Sequence, residues 1–358
     1  MTEYKLNEIC SNFSINTKIQ SYGNGHINDT YLCESTPRFI LQRINTNVFK
    51  NADEVMENIY NVTEHLKAKI KANGGDVNRE TLTVIRTKDG KNFYRDGDDC
   101  YRMYRFVEDS VSYDFVENPV QLYYAAKAFG KFQKMLGDFP ADKLHETIVD
   151  FHNTPERVKQ LKTAIANNTA GRLESVGDEA DFALDYAKYA DKITSAMADG
   201  TVPLRVTHND TKLNNVLFDK DSGEGVCVID LDTVMPGSLL YDFGDALRFG
   251  ASSGAEDEVD LDKIWFDLEK FEQFAKGFLE EMSDCTEKEI ELLPMSVLIM
   301  TYECGTRFLA DHLNGDTYFK IHREGHNLDR ARTQFKLVAD IESKFDKMNE
   351  IVKKYANR

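Results

Sequence analysis

The chain has 358 residues, 41% of them hydrophobic and 11% aromatic, enough apolar material for a sizeable core in two domains or lobes and too much for a disordered segment. Its 44 basic and 61 acidic residues leave a net charge of −17, which argues against a nucleic-acid partner or an anionic membrane surface. Cys10, Cys33, Cys100, Cys227, Cys285 and Cys304 are scattered, without a C-x-x-C pair or metal-ligand spacing; they read as reduced thiols of a cytoplasmic protein. The first ten residues carry charges and no apolar stretch, so no signal peptide is expected. The longest apolar run, 292–300, is too short to span a bilayer and contains Pro294.

Strand signals dominate the first hundred residues. Residues 18–22 and 30–33 flank a turn at Gly23-Asn24-Gly25, and 38–42 give a third strand. A helix is predicted over 53–72, where Val55, Ile59, Val62, Leu66 and Ile70 recur at helical spacing. Residues 82–85 and 101–106 read as two further strands, the second preceded by a turn at Asp96-Gly97-Asp98. The order is β-β-β-α-β-β. Beyond Asn118-Pro119 the periodicity becomes helical, over 120–136, 155–166 and 179–197. A short strand over 226–229 interrupts the helices and delivers Asp230. Thr286-Glu287-Lys288-Glu289 is a capping box that opens a long helix toward Leu313, and a helix over 327–355 closes the chain.

Between these helices lies His208-Asn209-Asp210-Thr211-Lys212-Leu213-Asn214-Asn215, with Asp230 fifteen residues beyond Asn215. Phosphoryl transfer needs this arrangement. One carboxylate, Asp210, accepts the proton of the acceptor hydroxyl; Asn215 and Asp230 hold the Mg²⁺ that neutralises the phosphates of ATP. Lys212 can meet the transferring phosphoryl group as a point charge. The pattern H-N-D-x-K-x-x-N is close to the catalytic loop of protein kinases. Asp242-Phe243-Gly244 spells a competing metal motif, but it follows no apolar strand and lies twenty-seven residues beyond Asn215. Asp242 is therefore read as a brace that receives backbone amides. With this loop between a strand lobe and a helical lobe, the fold class is α+β, a bilobal protein kinase-like fold. Its small antiparallel β lobe with one main helix spans 1–108, the hinge lies near 105–108, and a larger helical lobe spans 109–358.

Four stretches resemble the aminoglycoside phosphotransferase/choline kinase-like superfamily, and within it most closely the N-acetylhexosamine 1-kinases. They are Gly23-Asn24-Gly25-His26-Ile27-Asn28, the run from Leu204 through Asn215, Ile229-Asp230-Leu231-Asp232-Thr233-Val234-Met235-Pro236-Gly237-Ser238, and Glu303-Cys304-Gly305-Thr306-Arg307-Phe308-Leu309-Ala310-Asp311. The resemblance implies that Asp210 orients or deprotonates a sugar hydroxyl. It also implies that Thr233, Arg307 and Tyr318 hydrogen-bond an N-acetyl sugar, and that Arg105 to Glu108, Arg105 and Val107 among them, offer backbone groups to adenine. The implied reaction is ATP-dependent phosphorylation of the anomeric hydroxyl of N-acetylglucosamine or N-acetylgalactosamine. Another small-molecule kinase (aminoglycoside, choline or other sugar) and a nucleotide-binding regulator without turnover are the alternatives.

Several residues carry two readings at this stage. Gly23 and Gly25 suit a plain hairpin turn or a phosphate-facing loop, and His26 suits turn structure or a nucleotide contact. His208 reads as an internal brace. The third strand shows Gln42-Arg43 where kinases at large carry a lysine, so Arg43 is the expected phosphate cation, with Glu54 and Glu57 both open as its helix partner. Arg307 and Asp311 stand four apart, and an i,i+4 ion pair would account for both. Tyr318 could equally pack in a core, the run 256–262 reads as a solvated loop or helix start, and the role of Asp232 is open among metal, substrate and loop.

Overall fold

The computed structural model describes residues 3–23 and 27–356. The chain divides into two units: residues 1–112, 135–149 and 215–236 form the first, and 113–134, 150–214 and 237–358 the second. In the first, helix α1 (Glu3–Ser11) precedes strands β1 (Ile19–Ser21), β2 (Asp29–Cys33) and β3 (Phe39–Ile44). Helix α2 (Ala52–Ala72) and strands β4 (Val84–Ile85), β5 (Tyr94–Asp96), β6 (Asp99–Arg105) and β7 (Ser110–Val111) follow. The main sheet is antiparallel throughout, in the order β1-β2-β3-β6-β4 with β5 against β6. Later in the chain β9 (Val216–Asp219) and β10 (Gly225–Val228) add a second antiparallel sheet, ordered β10-β9-β7.

Side-chain alternation sorts the main sheet into two faces. Phe39 and Leu41 of β3 join Tyr101 and Met103 of β6 in a core closed by Leu6, Ile9, Cys10 and Phe13. The last four come from α1 and the turn after it, a helix that the sequence reading did not anticipate because charges interrupt its short apolar stripe. Gln42 of β3 and its register partner Arg102 of β6 lie on the opposite face. Helix α2 buries the predicted stripe Val55, Ile59, Val62, Leu66 and Ile70. From it Asn58 donates to the carbonyl oxygens of Val234 at 3.0 Å and His145 at 2.8 Å.

The second unit holds α3 (Pro119–Met135), α4 (Thr154–Asn167), α5 (Gly177–Tyr186), α6 (Lys192–Ala198) and β8 (Arg205–Thr207). Beyond β11 (Met235–Gly237) come α7 (Leu239–Gly250), α8 (Leu268–Glu281), α9 (Glu287–Asn314), α10 (His326–Ser343) and α11 (Phe345–Ala356). Helix α9 opens with the predicted capping box, Thr286 and Glu289 exchanging side-chain and backbone bonds, and ends at Gly315 with φ 96°. It packs against α4, α7, α10 and α11, which is why it is buried around most of its circumference.

Two predicted helices are broken. The stretch 179–197 is interrupted by a one-turn 3-10 helix, Ala187–Tyr189, so that Tyr186 and Tyr189 both donate their hydroxyls to Glu342. The stretch 327–355 divides at Lys344, whose ammonium group donates to the carbonyl of Phe266 at 2.7 Å and to Asp340 at 2.6 Å. In both cases tertiary partners on either side of the break override a continuous helical period. Among the described residues no helix is long and apolar enough to cross a membrane.

Gly244 marks the crossing of α7 over α9: a Cβ built there would stand 2.5 Å from the carbonyl oxygen of Ser296. Backbone cannot yield as a flexible side chain can, so Gly244→Ala should destabilise the protein by about 1–3 kcal/mol through overpacking. A thermal unfolding midpoint equal to that of the wild type would show that the crossing is looser than this distance implies.

Candidate active site

Strand β8 ends in the loop that carries Asp210, and a buried carboxylate holds that loop. Asp242, in the first turn of α7, accepts the backbone N–H of His208 at 2.9 Å and of Asn209 at 2.7 Å. It also takes a bond from the side-chain amide of Gln133. Burial pushes the Asp242 carboxyl up, against the opposing pull of His208, the two loop amides and Gln133. Two residues further on, the Thr211 hydroxyl donates to the Asp242 carbonyl at 2.6 Å and its N–H to Asp245 at 3.0 Å. Asp245 is in turn held by Arg248, whose guanidinium also meets Glu256 at 2.8 Å. The acidic run at 256–262 is thus anchored at its start.

The His208 ring stands edge-on to Phe129 and Phe132, and its Nδ1 accepts the N–H of Asp210 at 3.3 Å. A ring committed in this way is a brace. A second histidine, absent from the sequence reading, grips the loop from the other side. His152 donates Nδ1–H to Glu303 at 2.9 Å and Nε2–H to the carbonyl of Asn209 at 3.1 Å. Both partners are acceptors, so the ring carries both protons. Burial works against that charge, but Glu303 outweighs it and raises the histidine pKa. Burial likewise opposes the Glu303 charge, and His152, Arg307 and Thr154 bring its pKa below the ordinary value. Held from both sides, the loop presents a half-buried Asp210 with Lys212 Nζ at 2.7 Å from its carboxylate. Burial opposes the Lys212 charge; Asp210 and Asp245 more than offset this, and its pKa is raised.

On the first unit the Ile229 N–H donates to the Asn215 carbonyl at 2.9 Å, tying the end of β10 to the end of the loop. Asp230 follows in the left-handed region, φ 59° and ψ 54°. One amide oxygen and one carboxylate suit a hard divalent cation that takes its remaining ligands from phosphate and water, since two side chains are too few for an all-protein cage. Among the described residues no cluster of three or more His, Cys, Asp or Glu forms a self-sufficient metal site. Asp232, whose role the sequence left open, is 4% exposed and serves as a hub. It pairs with Arg102 and accepts from Asn28 Nδ2 at 2.6 Å. Arg102 Nε reaches Gln42 Oε1 at 3.0 Å, and Gln42 Nε2 donates to Thr30 at 3.1 Å. Burial opposes the Arg102 charge, yet Asp232, Tyr104 and Asp230 raise its pKa further.

This network corrects the expectation for Arg43. Arg43 projects to the other face of β3, where it pairs with Asp29 at 2.9 Å and Asp99 at 3.2 Å. Gln42 is the β3 residue that shares a face with Arg102 and Asp232. Neither Glu54 nor Glu57 is the partner of Arg43; Glu57 meets His145 at 3.0 Å. The signal for Arg102 was present in the sequence, as one charged residue set between Cys100-Tyr101 and Met103-Tyr104 in the middle of the strand.

The other predicted residues are placed unevenly. Gly23 follows β1 with φ 72°, while Gly25 and His26 lie outside the described residues. In the hinge the Arg105 N–H is committed to the Thr83 carbonyl at 2.9 Å and the Phe106 N–H to Arg38 at 3.0 Å. The Val107 carbonyl accepts the Ser110 hydroxyl at 2.7 Å, and the buried Val107 N–H donates to nothing among the described residues. Thr233 is buried at the end of a single 3-10 turn, Leu231–Thr233.

The Arg307–Asp311 ion pair does not form. Asp311 accepts the backbone N–H groups of Thr317, Tyr318 and Phe319 at 2.8–2.9 Å, and the Asn327 amide at 3.0 Å. Those bonds shape the turn after α9. Arg307, half-buried one helical turn beyond Glu303, makes no hydrogen bond or ion pair among the described residues. Its guanidinium lies 5.8 Å from the ring centres of Phe151 and Tyr318 and 5.4 Å from that of Phe319. Tyr318 is 70% exposed, so it is not a core residue.

An antiparallel strand lobe with one long helix, a helical lobe, and a braced aspartate loop followed by a strand-borne aspartate make up a protein kinase-like fold, and the class is that of small-molecule kinases. A family model described as "Phosphotransferase enzyme family" matches residues 18–274. The chain belongs to that family. Among solved structures it resembles a microcompartment-associated aminopropanol kinase (14% identity, 97% of this chain and 98% of that one, TM-score 0.58). It also resembles a spectinomycin phosphotransferase in complex with ADP and spectinomycin (14% identity, 97% and 99%, TM-score 0.60). A choline kinase from Cryptosporidium parvum is similar as well (12% identity, 95% and 93%, TM-score 0.55). At these identities the likeness is one of fold.

The His152–Glu303 pair generates a pH-dependent prediction. A histidine whose pKa is raised on folding contributes stability fully below its unfolded value, about 6.5, and loses it as pH rises through the folded value. His152→Gln should therefore lower the unfolding midpoint more at about pH 6 than at about pH 9. An equal deficit at both pH values would mean that the ring is neutral in the folded protein.

Proposed function

We propose that this protein is an ATP-dependent sugar kinase that phosphorylates the anomeric hydroxyl of an N-acetylhexosamine, N-acetylglucosamine or N-acetylgalactosamine, to the 1-phosphate. The observation that carries this reading is Arg307, a half-buried guanidinium that makes no ion pair among the described residues and is framed by three aromatic rings. A fork of N–H donors over aromatic surface fits the oxygens and apolar face of a neutral sugar. An aminoglycoside would need a carboxylate there, and Asp311 and Glu303 are both consumed by bonds within the protein; a quaternary amine such as choline could use the aromatic rings, but Arg307 already occupies them with a like charge.

In this reading Asp210 takes the proton of the anomeric hydroxyl, and Lys212 both holds the Asp210 carboxylate and meets the transferred phosphoryl group. Asn215 and Asp230 would hold Mg²⁺, which supplies charge neutralisation to the ATP phosphates when bound. The Val107 N–H is the hinge donor to adenine, Gly23 lies in the loop facing the phosphates, and Thr233 and Tyr318 join Arg307 on the sugar. Residues 1–108 are the nucleotide lobe and 109–358 the catalytic and acceptor lobe. We place the enzyme in the cytoplasm, where ATP is available and its scattered cysteines stay reduced.

Asp210→Asn keeps the size of the side chain and removes the charge that accepts the proton. kcat should fall by about two to four decades while ATP binding is retained; turnover within about tenfold of wild type would take Asp210 out of this role.

Substrate class is tested with a panel of N-acetylhexosamines, other sugars and amine-bearing acceptors, with the product identified by phosphorus NMR. The expected product is an anomeric phosphate. Arg307→Ala should lower kcat/KM for the sugar by about one to two decades, the worth of a hydrogen bond to a charged group, with the KM for ATP little changed. A 6-phosphate product, or turnover of amines and not of N-acetylhexosamines, would refute the sugar 1-kinase reading and leave the kinase class standing.

A further inference from the structure

We propose that Arg102 supplies, from β6, the positive charge on the nucleotide phosphates for which β3 has no residue in place. The inference rests on the phosphotransferase class and not on the identity of the acceptor. On β3, the residue that shares a face with Asp232 is Gln42, which is neutral and whose side-chain oxygen is occupied by Arg102 Nε. Arg43 is excluded by strand alternation and by its pairs with Asp29 and Asp99 on the other face. The register pairs Gln42 with Arg102, so a cation placed on β6 serves the same patch of the sheet one strand away.

Arg102 is 1% exposed, and such a guanidinium is costly unless its donors are used. Nε and Nη1 are bonded to Gln42 and Asp232, whereas Nη2 has no hydrogen-bond partner among the described residues. Two residues along the same strand face, the Tyr104 hydroxyl is buried without a partner among the described residues, and the Arg102 guanidinium lies 5.3 Å from the centre of the Tyr104 ring. A buried hydroxyl without a partner, and beside its ring a guanidinium with a nitrogen not engaged by Gln42 or Asp232, on the face that leads to Asp232, point to an anionic ligand with several acceptor oxygens. A phosphate of ADP or ATP is that ligand in a kinase.

The same geometry separates the two acidic residues. Asp232 is neutralised by Arg102 and fixed by Asn28, leaving Asp230 as the carboxylate for the metal. Arg102 thus offers one face to the phosphates while its other nitrogens position the segment that carries Asp230. Phosphate binding, unlike a purely structural ion pair, distinguishes ADP from adenosine.

The test is calorimetric titration of the full-length protein with ADP and with adenosine, both in EDTA so that metal does not contribute. The wild type should bind ADP more tightly than adenosine. Arg102→Met should weaken ADP by about 10- to 100-fold, the range for a hydrogen bond to a charged group, with adenosine unchanged within about twofold. Arg102→Lys should recover part of the ADP affinity, and Gln42→Lys in the Arg102→Met background should recover more, because it returns a cation to the same face. If Arg102→Met does not fold, Arg102→Gln with Asp232→Asn keeps a neutral hydrogen-bonding pair in the core and should show the same ADP-selective loss. The proposal is overturned by a wild type that does not prefer ADP, by equal loss of ADP and adenosine in the folded variants, or by undiminished ADP binding. No acceptor is present, so an error about the sugar cannot produce any of these results.

Discussion

The bonds from Asp242 to the amides of His208 and Asn209 are the constraint on which the loop that carries Asp210 depends. A loop leaving a short strand has backbone donors that water would normally satisfy, and here they are buried. One carboxylate at the start of α7 accepts two of them and a glutamine amide besides. Its location in the first turn of a helix favours negative charge there. Gly244, two residues on, lets α7 approach the backbone of α9 closely, so the brace is fixed to the central helix of its unit. The three-residue run that imitates a kinase metal motif is therefore structural from end to end. Its aspartate orders the loop, its phenylalanine is buried among Phe271, Phe274 and Phe278, and its glycine permits a helix crossing.

One buried ion pair in each unit is tied to a loop. In the second unit, Glu303 and His152 span from α9 to the Asn209 carbonyl, one residue before Asp210. In the first, Asp232 and Arg102 span from the segment after Asp230 to the central strand of the sheet. Removing one partner of such a pair typically costs about 3–5 kcal/mol, although an apolar replacement of both is often tolerated. Stability alone thus gives little reason for these pairs. Their value is positional, because each fixes a backbone segment that carries an aspartate, Asp210 or Asp230, to which the proposed function gives a role, and fixed geometry is most of what a phosphotransferase contributes to a loose transition state.

Arg307 is the exception. Its nearest sequence candidate for a partner, Asp311, is spent on three backbone amides and an asparagine. That expenditure has two effects at once: it folds the turn that sets Tyr318 and Phe319 beside the guanidinium, and it leaves the guanidinium without an ion pair among the described residues, with Glu303 acting on it only from a distance. That donor-rich, aromatic-lined environment is what the proposal of a neutral, oxygen-bearing acceptor rests on.

Much of the fold, and the candidate site as a proposal, was legible in the sequence itself. The alternating strands, the stripe of α2, the capping box of α9 and the order Asp210, Lys212, Asn215, Asp230 are local patterns, and local periodicity and spacing encode them directly. The preference for Asp230 over Asp242 also followed from local context, an apolar strand before one and none before the other. Only the tertiary structure decided which face of β3 matters, because Gln42 and Arg43 are adjacent in sequence and opposite in space, and the covering of one face by α1 is a long-range fact. It alone united Arg102 with Asp232 and His152 with Glu303, partners 130 and 151 residues apart. The breaks at 187–189 and Lys344 belong to the same class: helical period continues through them, and hydrogen bonds to distant partners end the helix. Local free energies are written in neighbouring residues, whereas the pairing of buried charges is written in the packing that brings remote ones together.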